Sequence, residues 1–199
     1  MAGPGVDEEN RQSAPPSQPS RAWAEVNCAA VADNLREIRR MVGPSVSVLA
    51  VVKANGYGHG AVPVARCALA AGATALGVAT VDELLELRAA QVKAPILILN
   101  TPSPREIPTI VCADGQLIVS DTEEVRRLGR LARELKRKAQ VHVAMNIGLQ
   151  REGASPASTL RVLEECARMT HVELRGLMTH FPTPTDRGRV LAGAGALSR

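Results

Sequence analysis

Six short apolar runs, at 48–52, 75–79, 96–99, 116–119, 141–145 and 174–178, return roughly every 20 to 30 residues with helical patterns between them. Runs of four or five residues are too short for buried helices and suit strands covered on both faces. Strands separated by helices require a parallel sheet, because a parallel neighbour is reached only through a crossover. The fold class is therefore α/β. Periodicity does not tell an open sheet from a closed one. Eight such units close a (β/α)8 barrel of the TIM type, and about six are present, so the barrel reading is of an incomplete barrel.

The helical stretches carry start and stop signals. Asn27 precedes a helix to about Val42, which Gly43-Pro44 ends, with Val31, Leu35, Ile38 and Val42 as its apolar stripe. Pro63 falls in the first turn of 61–71, and Gly72 stops it. Thr80 with Glu83 and Asp121 with Glu124 form capping-box patterns, and Ser155-Pro156 opens a further helix. The stretch 104–113 reads as a short helix weakened by Pro108, and 23–26 as a short extra strand. Residues 1–20, rich in Pro, Ser, Gln and Gly, are expected to be a disordered tail.

Composition narrows the function classes. Trp23, Tyr57 and Phe181 are each the single residue of their type, so the core is built from Val, Leu, Ile and Ala. The net charge of +4 raises the question of nucleic acid. Its densest patch, 126–138, interleaves no aromatic side chain for base stacking and reads as a solvated helix face, so no nucleic-acid partner is expected. Cys28, Cys67, Cys112 and Cys166 form no Cys-x-x-Cys pair, which points to core residues in a reducing compartment rather than to a disulfide framework or a metal site. No apolar stretch approaches the ~20 residues of a membrane span, and the first residues contain no apolar signal core. A cytoplasmic protein without membrane attachment is expected.

The first run ends in a residue that does not belong to a core. Val48 to Val52 is followed by Lys53 and then by Ala54-Asn55-Gly56-Tyr57-Gly58-His59-Gly60. An amine at the mouth of a buried strand, partly shielded from water, is a usable nucleophile toward a carbonyl, which is Schiff-base chemistry. The glycines let backbone approach an anion, and Tyr57 supplies a hydroxyl donor there. His59 reads as a loop histidine bonded to backbone. Arg151 and His180 also fall just after strands, so a barrel brings all three positions to one face.

The segment Val51-Val52-Lys53-Ala54-Asn55-Gly56-Tyr57-Gly58-His59-Gly60 resembles the signature of the alanine racemase family, which uses pyridoxal 5′-phosphate. The resemblance implies an N-terminal (β/α)8 barrel followed by a C-terminal β-domain, with Lys53 as the cofactor-linked lysine and as the base that serves D-alanine. Tyr57 matches the tyrosine that bonds the cofactor phosphate. Asn146-Ile147-Gly148-Leu149-Gln150-Arg151-Glu152-Gly153 is similar to the family's Asp-Thr-Gly-Met-x-Arg-x-Gly, making Arg151 the arginine near the cofactor's phenolic oxygen and the substrate carboxylate. Gly176-Leu177-Met178-Thr179-His180-Phe181 resembles Gly-x-x-Thr-His-Phe, whose histidine lies beside the cofactor ring.

Asn146, Ile147 and Leu149 depart from that pattern, as does Ala144, where many members have lysine. The resemblance runs over 21–181 as a partial barrel domain and leaves 182–199 as a tail without family character, as a frameshift or a truncated reading frame would. The implied C-terminal β-domain is expected to be missing from this sequence, and with it the second proton-transferring tyrosine, which the resemblance assigns to a homodimer partner. The expectation is thus a racemase interconverting L- and D-alanine for peptidoglycan, inactive as this chain alone. A racemase for another small amino acid such as serine, or a non-catalytic cofactor-binding fragment, stands as the alternative.

Overall fold

The computed structural model describes residues 25–183 and 185–197. In order, its elements are α1 (Cys28–Val42), β1 (Leu49–Val51), α2 (Lys53–Tyr57), α3 (Ala61–Ala70), β2 (Ala75–Val78), α4 (Val81–Ala89), β3 (Ile96–Ile98), α5 (Ile107–Cys112), β4 (Gly115–Val119), α6 (Thr122–Glu134), β5 (Ala139–Ala144), α7 (Pro156–Arg168), β6 (Val172–Met178) and α8 (Arg187–Leu197). The six strands form one sheet in sequence order, every neighbouring pair parallel. The tail at 1–20 and the first half of the strand expected at 23–26 lie outside the described residues. Glu25 and Val26 belong to no strand.

Alternation along each strand sorts the side chains onto two faces. Val52, Leu76, Val78, Ile96, Ile98, Leu117, Val119, Val141 and Val143 pack with Leu84, Leu87, Ile110, Val125, Leu128 and Val162 from the helices. The opposite face carries Leu97, Ile118 and Ala144, packed with Leu49, Leu99 and Met178. Helices therefore cover one face of the sheet, whereas a doubly wound sheet has them on both. That asymmetry is the barrel's.

The caps are formed where the side-chain chemistry places them. Asn27 Oδ1 accepts from the Ala30 amide, Ser155 Oγ from that of Ser158, and Asp121 Oδ1 from those of Glu123 and Glu124. Thr80 and Glu83 form a complete capping box. Pro108 sits in the first turn of α5, where its missing N–H costs nothing, so the helix begins at Ile107 rather than at Pro104.

Three expectations need correction. The strand at 48–52 is not covered on both faces: β1 is an edge strand, and Val51, 38% exposed, points to the uncovered face. In α1 only Leu35 of the expected stripe is buried, against Ala68 and Ala73, because this helix meets α3 and little else. Not all cysteines are core residues: Cys166 is buried, Cys28 and Cys67 are half-buried and Cys112 is exposed, all of them free. The helix α8, for which the sequence carries no signal, packs Gly193 against Ile147 and Phe181 with no room for a Cβ.

Candidate active site

Val52 is fully buried and its amide donates to the Gly77 carbonyl of β2 at 2.8 Å, so the backbone leading into Lys53 is fixed by its inner neighbour and by the core. The expected glycine-rich loop is instead a tight helical turn of unusual hand. Ala54, Asn55, Gly56 and Tyr57 all have positive φ, from 51 to 61°. An L-residue in that conformation costs about 1–2 kcal/mol, so three non-glycine residues there need compensating bonds. The Gly56 amide donates to Val52 O at 2.8 Å and the Gly60 amide to Asn55 O at 2.8 Å, while Asn55 Oδ1 accepts from the Ala61 amide at 2.9 Å at the start of α3. His59 Nδ1 lies 3.0 Å from the Gly56 carbonyl and donates to it, the backbone role expected of it.

Arg151 is carried by a compact loop between β5 and α7. Met145 and Ala154 pair across its base, the Asn146 amide donating to Ala154 O and the Ala154 amide to Ala144 O, both at 2.8 Å. Asn146 Oδ1 accepts from the amides of Gly148 at 2.8 Å and Gln150 at 3.3 Å, folding the loop back on itself. Gly153 is obligatory: at φ +105° a Cβ would lie 2.7 Å from the Asn146 amide nitrogen. At the end of β6, Thr179 Oγ1 donates to the Met145 carbonyl at 2.7 Å, which ties the approach to His180 to that same loop.

These three strand ends, from β1, β5 and β6, converge. Lys53, Tyr57, Arg151 and His180 line one cavity of about 280 Å³, whose remaining wall is largely Leu99, Leu149, Met178 and Ala144. Motif reading overlooked Asn100, Glu152 and Thr179, which line it as well. Each follows a strand or lies in a strand-end loop, and the rule that chemistry gathers at C-terminal strand ends was the signal available for them.

The donor set suits an anionic aldehyde cofactor. Lys53 offers an amine for an aldehyde, Tyr57 a hydroxyl donor for a phosphate, and Arg151 a permanent planar cation for a carboxylate or phenolate. Apolar side chains form much of the wall, while Tyr57 and Arg151 are exposed to solvent. Among the described residues, no group of three His, Cys, Asp or Glu side chains is placed to hold a metal ion. Nor is any described helix long and apolar enough to cross a membrane.

A parallel sheet with helices on one face and a lysine-bearing cavity at the C-terminal strand ends defines a (β/α)-barrel domain, incomplete at six strands. Comparison with known proteins makes the assignment particular. The chain matches the family described as "Alanine racemase, N-terminal domain" over residues 26–192 and belongs to it. It is 43% identical over 166 residues to the alanine racemase of Symbiobacterium thermophilum, covering 83% of this chain and 44% of that protein. The corresponding enzyme of Desulforamulus reducens is 41% identical over 169 residues, covering 84% and 45%. The chain thus spans a little under half the length of these curated relatives.

Solved structures agree. The alanine racemase of a D-cycloserine-producing Streptomyces lavendulae superposes with a TM-score of 0.81 at 33% identity, covering 92% of this chain and 49% of that one. The Bacillus anthracis enzyme, solved with bound L-Ala-P, gives 0.77 at 33% identity, covering 86% and 45%. A histidine racemase from Leuconostoc mesenteroides gives 0.78 at 26% identity, covering 86% and 47%. The incomplete (β/α)8 architecture is therefore that of the alanine racemase N-terminal domain.

Proposed function

We propose that this polypeptide is the barrel portion of a pyridoxal 5′-phosphate-dependent alanine racemase. The observation that carries the reading is the convergence of Lys53, Tyr57, Arg151 and His180 on one cavity wall, from segments as far apart in the chain as β1 and β6. Lys53 would hold the cofactor covalently, Tyr57 would donate to its phosphate, Arg151 would face its phenolic oxygen and the substrate carboxylate, and His180 would lie beside its ring. When bound, the cofactor supplies an electron sink for the charge left at the amino acid's α-carbon.

Racemisation needs a proton removed from one face of that carbon and another delivered to the opposite face. Lys53 Nζ serves one face, taking the α-proton of D-alanine or returning one to make it. Arg151 fixes the carboxylate so that the α-hydrogen points at Nζ. The family resemblance assigns the opposite face to a tyrosine of a partner subunit. We accordingly read the 199-residue polypeptide by itself as a cofactor-binding unit without appreciable racemase turnover, and the working enzyme as a cytoplasmic homodimer supplying D-alanine for peptidoglycan.

A second reading, a racemase for another amino acid such as serine, is favoured by the histidine racemase that shares this fold. Both readings are tested together. The purified polypeptide with added cofactor is assayed for D-alanine, D-serine and D-histidine formation beside Lys53→Ala. Cofactor retention that depends on Lys53, without turnover, is the expected result; turnover of serine or histidine but not alanine would replace the substrate, and absence of Lys53-dependent cofactor retention would overturn the function.

A further inference from the structure

The left-handed turn after Lys53 is held from outside by a side chain to which no catalytic task has been given. Glu83, third residue of α4, directs one carboxylate oxygen to the Ala54 amide at 2.6 Å and the other to the amides of Ala79 at 2.7 Å and Thr80 at 3.3 Å. One carboxylate thus bridges the ends of β1 and β2. Its first partner is the residue directly after Lys53, at φ 51°. A capping box needs only the bond back to the Thr80 amide. The bond to Ala54 reaches 29 residues along the chain and does nothing for α4.

We propose that Glu83 is a positioning residue for Lys53, its carboxylate pinning the Ala54 amide and so holding the strained turn that sets Lys53 and Tyr57 on the cavity wall. This rests on the reading of Lys53 as the cofactor-bearing amine. The shape of the turn explains why an outside acceptor is needed. Four successive residues in the left-handed region relax toward ordinary conformations unless the surroundings over-determine them, and relaxation would swing Lys53 relative to Tyr57. A charged acceptor makes the shorter and stronger bonds that such a clamp requires.

The test separates clamping from helix capping. Glu83→Ala removes both, whereas Thr80→Ala removes the reciprocal bond of the capping box, in which Thr80 Oγ1 accepts from the Glu83 amide at 3.3 Å, and leaves the carboxylate. Pyridoxal 5′-phosphate is added to each protein, and the rate at which borohydride traps a pyridoxyl group on Lys53 is read by peptide mapping. Amide hydrogen exchange over 54–57 is measured in the same samples without cofactor. We expect Glu83→Ala to slow trapping by about tenfold, as a small misplacement of a reacting group does, and Thr80→Ala to stay within about twofold. Exchange over 54–57 should quicken in Glu83→Ala alone. Equal effects of the two variants, or a Glu83→Ala protein indistinguishable from the parent in either readout, would overturn the assignment. If the parent itself traps nothing on Lys53, the cofactor reading fails separately, and unchanged exchange over 54–57 in Glu83→Ala then overturns the clamp on its own.

Discussion

Replacing Arg88 by methionine removes four hydrogen bonds at once from the end of the barrel opposite the cavity. The guanidinium donates to the carbonyls of Val92 at 2.7 Å, Ala94 and Ala113 at 2.9 Å, and Asp114 at 3.1 Å. Those acceptors lie on the two turns that lead into β3 and β4, so a single side chain ties the N-terminal ends of both strands to the last turn of α4. Burial lowers the proton affinity of this guanidinium from its ordinary value, with Asp114 acting the other way. Methionine keeps most of the apolar stem, which confines the loss to the donors. A bond from a charged donor contributes about 1.5–3 kcal/mol net. Arg88 is only half-buried, water can reach some of the freed carbonyls, and bonds made by one group do not add, so the expected loss is about 3 kcal/mol rather than the fourfold sum. For a domain of this size that lowers Tm by about 6–12 °C. Urea unfolding followed by far-ultraviolet circular dichroism, with m held equal between variants, measures it directly. Arg88→Lys should recover part of the loss, since an ammonium reaches some of the carbonyls but lacks the planar fork. A loss under about 1 kcal/mol for the methionine variant would mean that Arg88 does not tie the two strand starts, because that is the range of an ordinary exposed polar contact.

Gly153→Ala should destabilise by about 2 kcal/mol or more and disorder the Arg151 loop, since the new Cβ meets backbone at a positive φ. Gly129→Ala is the contrast, because there the Cβ meets the end of the Met169 side chain, which can turn away; a urea midpoint at least as low as that of Gly153→Ala would contradict the distinction. Glu165 takes both bonds of the Arg126 guanidinium, at 3.0 and 3.1 Å, and the arginine holds its carboxyl below the ordinary 4.5 against the opposing effect of burial. Its stabilisation is complete above about pH 4.5 and is lost as pH falls through the lowered folded value. Glu165→Gln should therefore flatten the fall of stability with acid below pH 4.5, and an unchanged slope would show that the α6–α7 pair is not coupled to folding.

Much of this fold was legible because strand and helix periods differ and the caps are chemically explicit. Asn27, Thr80, Asp121 and Ser155 each sit where their side chains accept the expected amides. Closure was less legible. The choice between barrel and open sheet depends on which strand face the helices cover, and Val51 shows why a local reading misleads: an edge valine facing the uncovered side has the same sequence signature as a buried one. At the cavity, motif and topology point to Lys53, Tyr57, Arg151 and His180, whereas Asn100 and Glu152 were masked by looking like a turn residue and a solvated charge. The left-handed hand of the turn after Lys53 was invisible because only Gly56 advertises it, while Ala54, Asn55 and Tyr57 adopt it under tertiary bonds, one of them from Glu83.

Lys53, in the reading proposed above, is the amine that takes up the cofactor. The direct measurement is borohydride reduction of the polypeptide after incubation with pyridoxal 5′-phosphate, followed by peptide mapping. One pyridoxyl group per chain is expected, on Lys53, abolished in Lys53→Ala and weakened in Tyr57→Phe. A pyridoxyl group spread over exposed lysines such as Lys93 and Lys138, or uptake undiminished in Lys53→Ala, would contradict it.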